Sequence, residues 1–407
     1  MTTRSFSNKT AFAAGTETPA ATPAFATVEV HRSIEAVEDE WRALLGGGVA
    51  TPYQTPDFLG AWSANAGKLE GVAPLIVVAR DADARPTALL PLGVKRRFGL
   101  QVASFLGGTH VNYNMPVFRA GRLGLFTPAE TRRLMRLAAE KGGVDVFALA
   151  NQPRSWRGQP NPLTALPDQP SPDFAYSGRL APSIEEHLQR HTSAKTRSAQ
   201  RRKLRRFEEH GPVRIFRADS EHDRARVLDA YFRQKAQRLA ARGIDNVFAE
   251  PGVEAFIRAA AGLDGSRQAI DLYGFDVGGE IAATFGVIAD SRRMCGMFNS
   301  ITSCDLARYS PGELLLNFMV EDAIGRGLQE FDLGVGAAPY KALHCPDVDP
   351  LFDSVFGVSA AGRLAAAAIG GKRALKAWVK SSPRAYALAT RLRRLRARTV
   401  ETSPDAS

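Results

Sequence analysis

The sequence predicts an α+β protein assembled from two copies of one unit, each a mostly antiparallel mixed sheet flanked by helices. Three observations lead there. Both halves read helix, helix, three strands, helix, strand. Pro56 and Pro251 each open a short helix, and Asp81 and Asp276 each end a strand, both pairs offset by 195 residues. Thr127-Pro128-x-Glu130 and Ser310-Pro311-x-Glu313 are the same helix-start pattern, offset by 183. An element order repeated at a near-constant offset is the mark of duplication, and strands with one crossover helix per copy make an α+β layer.

Taken in order, residues 1–24 are rich in Ala, Thr, Ser and Pro and predict a disordered lead-in without the apolar stretch of a secretory signal. The N-terminal half, residues 25–150, begins with a strand near 27–30 and a helix over 34–45 closed by Gly46-Gly47-Gly48. A second helix follows Thr55-Pro56, with strands at 75–80, 88–94 and 101–106. The helix opened by Thr127 ends at Gly142-Gly143, and 144–149 is a strand. Residues 151–182 carry many Pro, Gln, Asn and Ser and read as a linker. The C-terminal half, 183–360, opens with a capping box at Ser183 and a very basic helix over 192–209. After it come a strand at 213–217, helices at 223–242 and 251–261, and a three-strand meander between 269 and 300. Residues 361–407 form a basic tail of two helices divided by Pro383.

The net charge of +11 is confined to two segments. Residues 187–217 carry a net +8 and residues 361–407 a net +9, which leaves the rest of the chain acidic. Anionic partners are therefore expected at the basic helix and at the tail. The tail alternates Leu364, Leu375, Trp378 and Leu388 with cations, the pattern of an interfacial helix on an anionic membrane or of a packing helix with a solvated face. No apolar run reaches the ~18 residues that span a bilayer. Three cysteines provide no disulfide framework, so a reduced, cytoplasmic protein is expected, peripheral at the membrane if the tail binds there. No His/Cys spacing suggests a metal site, and His344-Cys345 has no third group to orient a nucleophile.

The chemistry is expected in residues 308–341. Ser310 reads as an N-cap, Pro311 as the first helical residue and Glu313 as the returning arm of a capping box. Gly312 keeps the first turn open, so an anion can approach the unpaired N–H groups there, with Arg308 just upstream. A short strand near 329–333 then runs into an irregular loop through Gly334, Gly336 and Pro339 to Tyr340 and Lys341.

Ser-Pro-Gly-Glu at 310–313, the helix, Phe-Asp-Leu-Gly at 331–334, Gly336 and Tyr340-Lys341 resemble the GNAT-type acyltransferases of the CelD (cellulose biosynthesis) group, relatives of the FemAB transferases with two GNAT-like halves. The resemblance spans roughly residues 25–360 and implies tandem GNAT-like halves. It also implies acyl transfer from acetyl-CoA or another acyl-CoA to an amine of a small metabolite, sugar nucleotide or polysaccharide precursor. The donor's pyrophosphate would rest on Arg308, Tyr309, Ser310, Pro311 and Gly312, beside a loop shaped by Gly334 and Gly336. Pro311 has no N–H to offer, and the usual Gln/Arg-x-x-Gly-x-Gly/Ala loop is absent. Tyr340 is the candidate general acid for the leaving thiolate, because a phenol can supply its proton. Asp332 is a candidate to orient the acceptor amine or accept its proton, the alternative being a simple pairing with an Arg, and Lys341 is a candidate to bind a donor phosphate or acceptor carboxylate. The same resemblance leaves two other readings: a FemAB-like transferase using aminoacyl-tRNA, and a non-catalytic accessory protein of exopolysaccharide synthesis.

Overall fold

The computed structural model describes residues 22–336, 338 and 340–382. The first half contains β1 (Thr27–His31), α1 (Glu38–Leu45), α2 (Pro56–Trp62), β2 (Ala73–Arg80), β3 (Pro86–Arg97), β4 (Leu100–Phe105), β5 (Val117–Phe118), α3 (Pro128–Gly142) and β6 (Val146–Pro153). A small hairpin, β7 (Ser155–Trp156) and β8 (Gln159–Pro160), leads to β9 (Asp168–Arg179). The second half contains α4 (Ile184–His191), α5 (Ala194–Glu208), β10 (Val213–Arg217), α6 (Glu221–Ala240), α7 (Val253–Ala260), β11 (Asp271–Val277), β12 (Glu280–Ala289) and β13 (Arg293–Ile301). It continues with α8 (Pro311–Gly325), β14 (Glu330–Val335), α9 (Lys341–His344), β15 (Asp347–Gly357) and α10 (Ala360–Ser381).

One sheet joins the two halves, in the order β1-β2-β3-β4-β6-β15-β9-β14-β13-β12-β11-β10, with β5 beside β3. Each half repeats the same pairing. Three antiparallel steps lead to one parallel pair, β4 with β6 in the first half and β13 with β14 in the second. The crossover helices α3 and α8 make those parallel steps possible. The two halves also exchange their last strands: β9 pairs with β14, and β15 pairs with β6. The duplication expected from the caps and offsets is thus present in the sheet.

The stretch 151–182 is not a linker. Its residues 168–179 form β9, hydrogen-bonded to β14 on one side and β15 on the other. Pro170, Pro172 and Gln169 give it little local strand preference. The strand exists because neighbours from the other half flank it, and strand formation depends strongly on such context. At the chain's start, residues 1–21 lie outside the described residues, whereas Ala24 and Phe25 are fully buried. Residues 25–150 begin inside that buried edge.

The tail is partly bound. The helix α10 lies on β15, β9 and β6, with Arg373 paired to Asp353 at 2.9 Å and Lys380 to Asp173 at 2.6 Å. The second predicted tail helix, beyond Pro383, lies outside the described residues.

The interior of α8 follows its apolar pattern: Leu315, Met319, Val320 and Ala323 are buried against β11 and β12. Burying a side chain the size of Leu315 or Met319 contributes roughly 1.5–3 kcal/mol. The start of α8 departs from expectation. Thr127 caps α3 with its hydroxyl on the Glu130 N–H at 3.3 Å. Ser310 makes no side-chain cap. A 3₁₀ turn over Asp305–Tyr309 delivers Ser310 in the left-handed region, φ +60°, and its carbonyl takes the Glu313 N–H at 3.1 Å. Glu313 does not reach back to complete a box. Its carboxylate accepts from Gln200 at 2.8 Å and Lys203 at 2.6 Å, which ties α5 across the start of α8.

Candidate active site

The parallel ladder between β13 and β14 is three residues long: Arg293 faces Glu330, Met294 faces Phe331 and Cys295 faces Asp332. Beyond Cys295 and Asp332 the strands part. The gap between them is a cleft of about 170 Å³, lined by Gly296, Met297, Phe298 and Asn299 of β13 and by Leu333, Val335, Tyr340 and Lys341 after the split. Asn112, Lys235, Phe248 and Phe285 complete the wall. On its other edge β13 carries a bulge. Val287 pairs with Gly296 and Gly286 with Phe298, so Met297 is the extra residue, at the cleft. Bulges of this kind turn a backbone group out of the ladder.

Tyr340 stands in the cleft, its hydroxyl accepting from the Asn299 amide at 3.0 Å. Burial raises its pKa, so the phenol is protonated at neutral pH. Lys341 also lines the cleft, but its ammonium donates to the carbonyls of Gly334 at 3.3 Å and Val335 at 3.0 Å. It closes the loop on itself, and burial lowers its pKa. Gly334 and Gly336 have φ of +74° and +99°, as the glycine-rich loop requires. The Gly336 N–H is bound by the Phe174 carbonyl at 3.0 Å. Gly334 is also a point of close approach, since a Cβ there would lie 2.4 Å from Asn112 Nδ2.

Asp332 is fully buried and does not line the cleft, so the expected contact with an acceptor is absent and the alternative, pairing with an Arg, is what the structure holds. Its carboxylate accepts from Tyr113 Oη at 2.5 Å, from the Gly334 N–H at 2.5 Å and from Arg293 at 3.1 Å. Burial pushes its pKa up to about 6, against the pull of Arg293. The Arg293 guanidinium lies 4.4 Å from the Trp156 ring centre. Asp332 is therefore a positioning residue that fixes where β13 and β14 part.

The expected pyrophosphate residues are near one another, outside the cleft lining. Gly312 meets Ile301, the last residue of β13: a Cβ there would lie 3.0 Å from Ile301 Cδ1. The start of α8 thus stands at the same end of the sheet as the cleft, and Gly312 packs closely on the tip of the Ile301 side chain. Pro311 is buried at the first helical position. Tyr309 packs on Phe207 of α5, and the Arg308 guanidinium lies 4.8 Å from the Tyr309 ring centre.

Sequence reasoning did not find Asn112, Tyr113, Arg293, Asn299 or Lys235. Asn112 spans the halves, donating to Gly296 O at 2.9 Å and to Tyr53 Oη at 2.7 Å. Lys235, on α6, lines the cleft with its pKa lowered by burial and by Arg238 and Arg242. No local pattern marks these residues, since each acquires its role from a partner far along the chain. Among the described residues no group of three or more His, Cys, Asp or Glu is placed to hold a metal ion, and no helix is long and apolar enough to cross a membrane.

Residues 194–342 match the family described as acetyltransferase (GNAT) domain. No curated protein matches the sequence. Among solved structures the chain is similar to FemX, at 10% identity over 81% of this chain and 97% of that one, with a TM-score of 0.57. It is also similar to a conserved protein of unknown function from Bacteroides thetaiotaomicron, at 12% identity over 81% and 99% of the two chains and a TM-score of 0.50. At these identities the likeness is one of fold. The split strands, the bulge opposite them and the matched domain together give the chain a GNAT-type acyltransferase fold, with its candidate active site in the second half.

Proposed function

We propose that the protein is an acyl-CoA-dependent N-acyltransferase acting on an amine of a small metabolite, sugar nucleotide or polysaccharide precursor. The observation that carries this reading is the cleft between the parted ends of β13 and β14, with the Tyr340 phenol inside it and the start of α8 at the same end of the sheet. A thioester lying in the gap has its carbonyl beside the Met297 bulge and its sulfur toward Tyr340. The amine attacks the carbonyl carbon, the C–S bond breaks, and Tyr340 gives its proton to the thiolate. Lys235, with its lowered pKa, is the cleft group suited to take the proton the amine loses. The diphosphate of the donor is assigned to the start of α8, residues Arg308–Gly312, where the Gly312 N–H, the Arg308 guanidinium and the helix dipole favour an anion. The CelD-type resemblance of residues 310–341 supports a role in exopolysaccharide or cellulose synthesis.

A thermal-shift panel tests the donor. Stabilisation by CoA thioesters, with transfer of the acyl group to an amine, is expected. Stabilisation by aminoacyl-tRNA alone replaces this reading with the FemAB-like one, and stabilisation by neither favours a non-catalytic accessory protein. We also propose a peripheral contact between the tail and anionic membrane. Leu364, Leu375 and Trp378 are 78%, 59% and 60% exposed on one side of α10, flanked by Arg363, Lys372 and Lys376. Changing Leu375 and Trp378 to Ser should weaken sedimentation with vesicles containing anionic lipid. Undiminished binding removes this face from the contact.

A further inference from the structure

The duplication gives the molecule a second strand end related to the Tyr340 loop. Between β6 and β14 in the sheet lie β15 and β9, each antiparallel to its neighbours, so β6 and β14 run in opposite directions. The C-terminal end of β6 therefore opens at the opposite end of the sheet from the acyl cleft. A separate cleft of about 400 Å³ lies there. Its walls are the turn after β6, the end of β9 and the starts of β13, β14 and β15.

The cleft is lined by Arg154, Arg157, Arg179, Arg292 and Arg293, against Glu330 and Asp349. Three of these cations are already matched. Arg154 pairs with Asp168 at 2.8 Å, Arg157 with Asp290 at 2.8 Å, and Arg293 with Glu330, Asp332 and Asp349. The guanidiniums of Arg179 and Arg292 have no carboxylate partner among the described residues, and that of Arg292 donates to the neutral Gln329 amide oxygen, at 2.8 Å. In the wall, the Trp156 indole N–H and Arg157 Nε are buried donors without a partner. Several guanidiniums directed at one concavity suit an oxyanion with many acceptor positions, since each planar fork offers paired donors to it. A concave cleft of this size suits a small molecule rather than a flat membrane or a nucleic-acid strand.

We infer that this cleft binds the phosphate or diphosphate group of a small phosphorylated molecule, at a site separate from the acyl cleft and independent of the donor proposed there. Arg179 and Arg292 supply the charge, and the matched arginines hold the walls. The two source classes are inorganic phosphate compounds and sugar phosphates. Calorimetric titration of the full chain with inorganic pyrophosphate and with glucose 1-phosphate distinguishes them. Saturable binding of at least one probe is expected, tighter than that of sulfate at the same ionic strength. The Arg179→Ala/Arg292→Ala variant should weaken it by about tenfold or more, because two charge-assisted contacts are lost. Both side chains are exposed, so the fold should be retained, and Arg179→Gln alone should give an intermediate loss. Arg201→Ala/Arg202→Ala on α5 should leave binding unchanged. Equal binding in the Arg179/Arg292 variant, equal loss in the α5 variant, or no binding of either probe overturns the inference.

Discussion

Gly334→Ala should be among the most damaging single-methyl changes in this protein, and its cost is calculable from the structure. The residue has φ +74°, a region that costs an alanine about 1–2 kcal/mol. The new Cβ would lie 2.4 Å from Asn112 Nδ2 and 2.7 Å from Gly296 O. Asn112 must then leave, which breaks its hydrogen bonds to Gly296 O and to Tyr53 Oη, each worth about 1 kcal/mol net. Tyr53 is fully buried, so its hydroxyl finds no water in exchange. These terms sum to about 3–4 kcal/mol as a lower bound, since moving Asn112 does not relieve the contact with the Gly296 carbonyl. Gly336→Ala is the control: its φ is +99°, yet nothing lies within 4 Å of the added methyl. It should lose only the backbone strain. Urea unfolding of both variants reads the difference as a shift in midpoint at unchanged slope. Asn112→Ala breaks the same two hydrogen bonds, so its cost and that of Gly334→Ala should fall short of additive by about 2 kcal/mol. Equal destabilisation by Gly334→Ala and Gly336→Ala, or full additivity with Asn112→Ala, would refute the account of why β13 and β14 part where they do.

Three further outcomes follow from the same geometry. Tyr340→Phe should lower kcat by roughly 10²-fold or more while donor affinity changes little, and full activity would remove the phenol from the mechanism. Lys235→Met should lower kcat and flatten the limb on which the rate rises with pH, because a general base works only once deprotonated, whereas an unchanged profile would leave the amine's proton to water. His187 is held at about 4, well below its ordinary value, first by burial and then by facing His191, whose ring centre is 4.4 Å away, and His344 and Arg190. Its folded-state pKa is depressed, so the stability it contributes is complete above about 6.5 and is lost as pH falls toward 4. The total is of order 3 kcal/mol at most. The melting temperature should drop over that window, His187→Leu should flatten the drop, and an unaltered slope would exclude the histidine cluster as its cause.

What the sequence determined alone is what short-range chemistry decides. The Thr127 and Ser183 caps, the left-handed Gly143 stop and the positive φ of Gly334 and Gly336 each depend on a few neighbouring residues, and each is where its residue type predicts. The repeated element order was legible for the same reason, and it led to a sheet with the same pairing in both halves. Tertiary structure decided the rest. Ser310 carries the same pattern as Thr127, yet the 3₁₀ turn before it rotates it out of the capping position, and Glu313 is drawn to Lys203 of another helix. The proline-containing β9 is a strand because β14 and β15 flank it. Asp332 looks like a catalytic carboxylate on a strand, but Tyr113, 219 residues away, and Arg293 hold it as the sealed pivot of the cleft. Caps and turns are settled within one or two turns of chain. Burial and charge pairing are settled by whatever the fold brings alongside, and no local spacing encodes that.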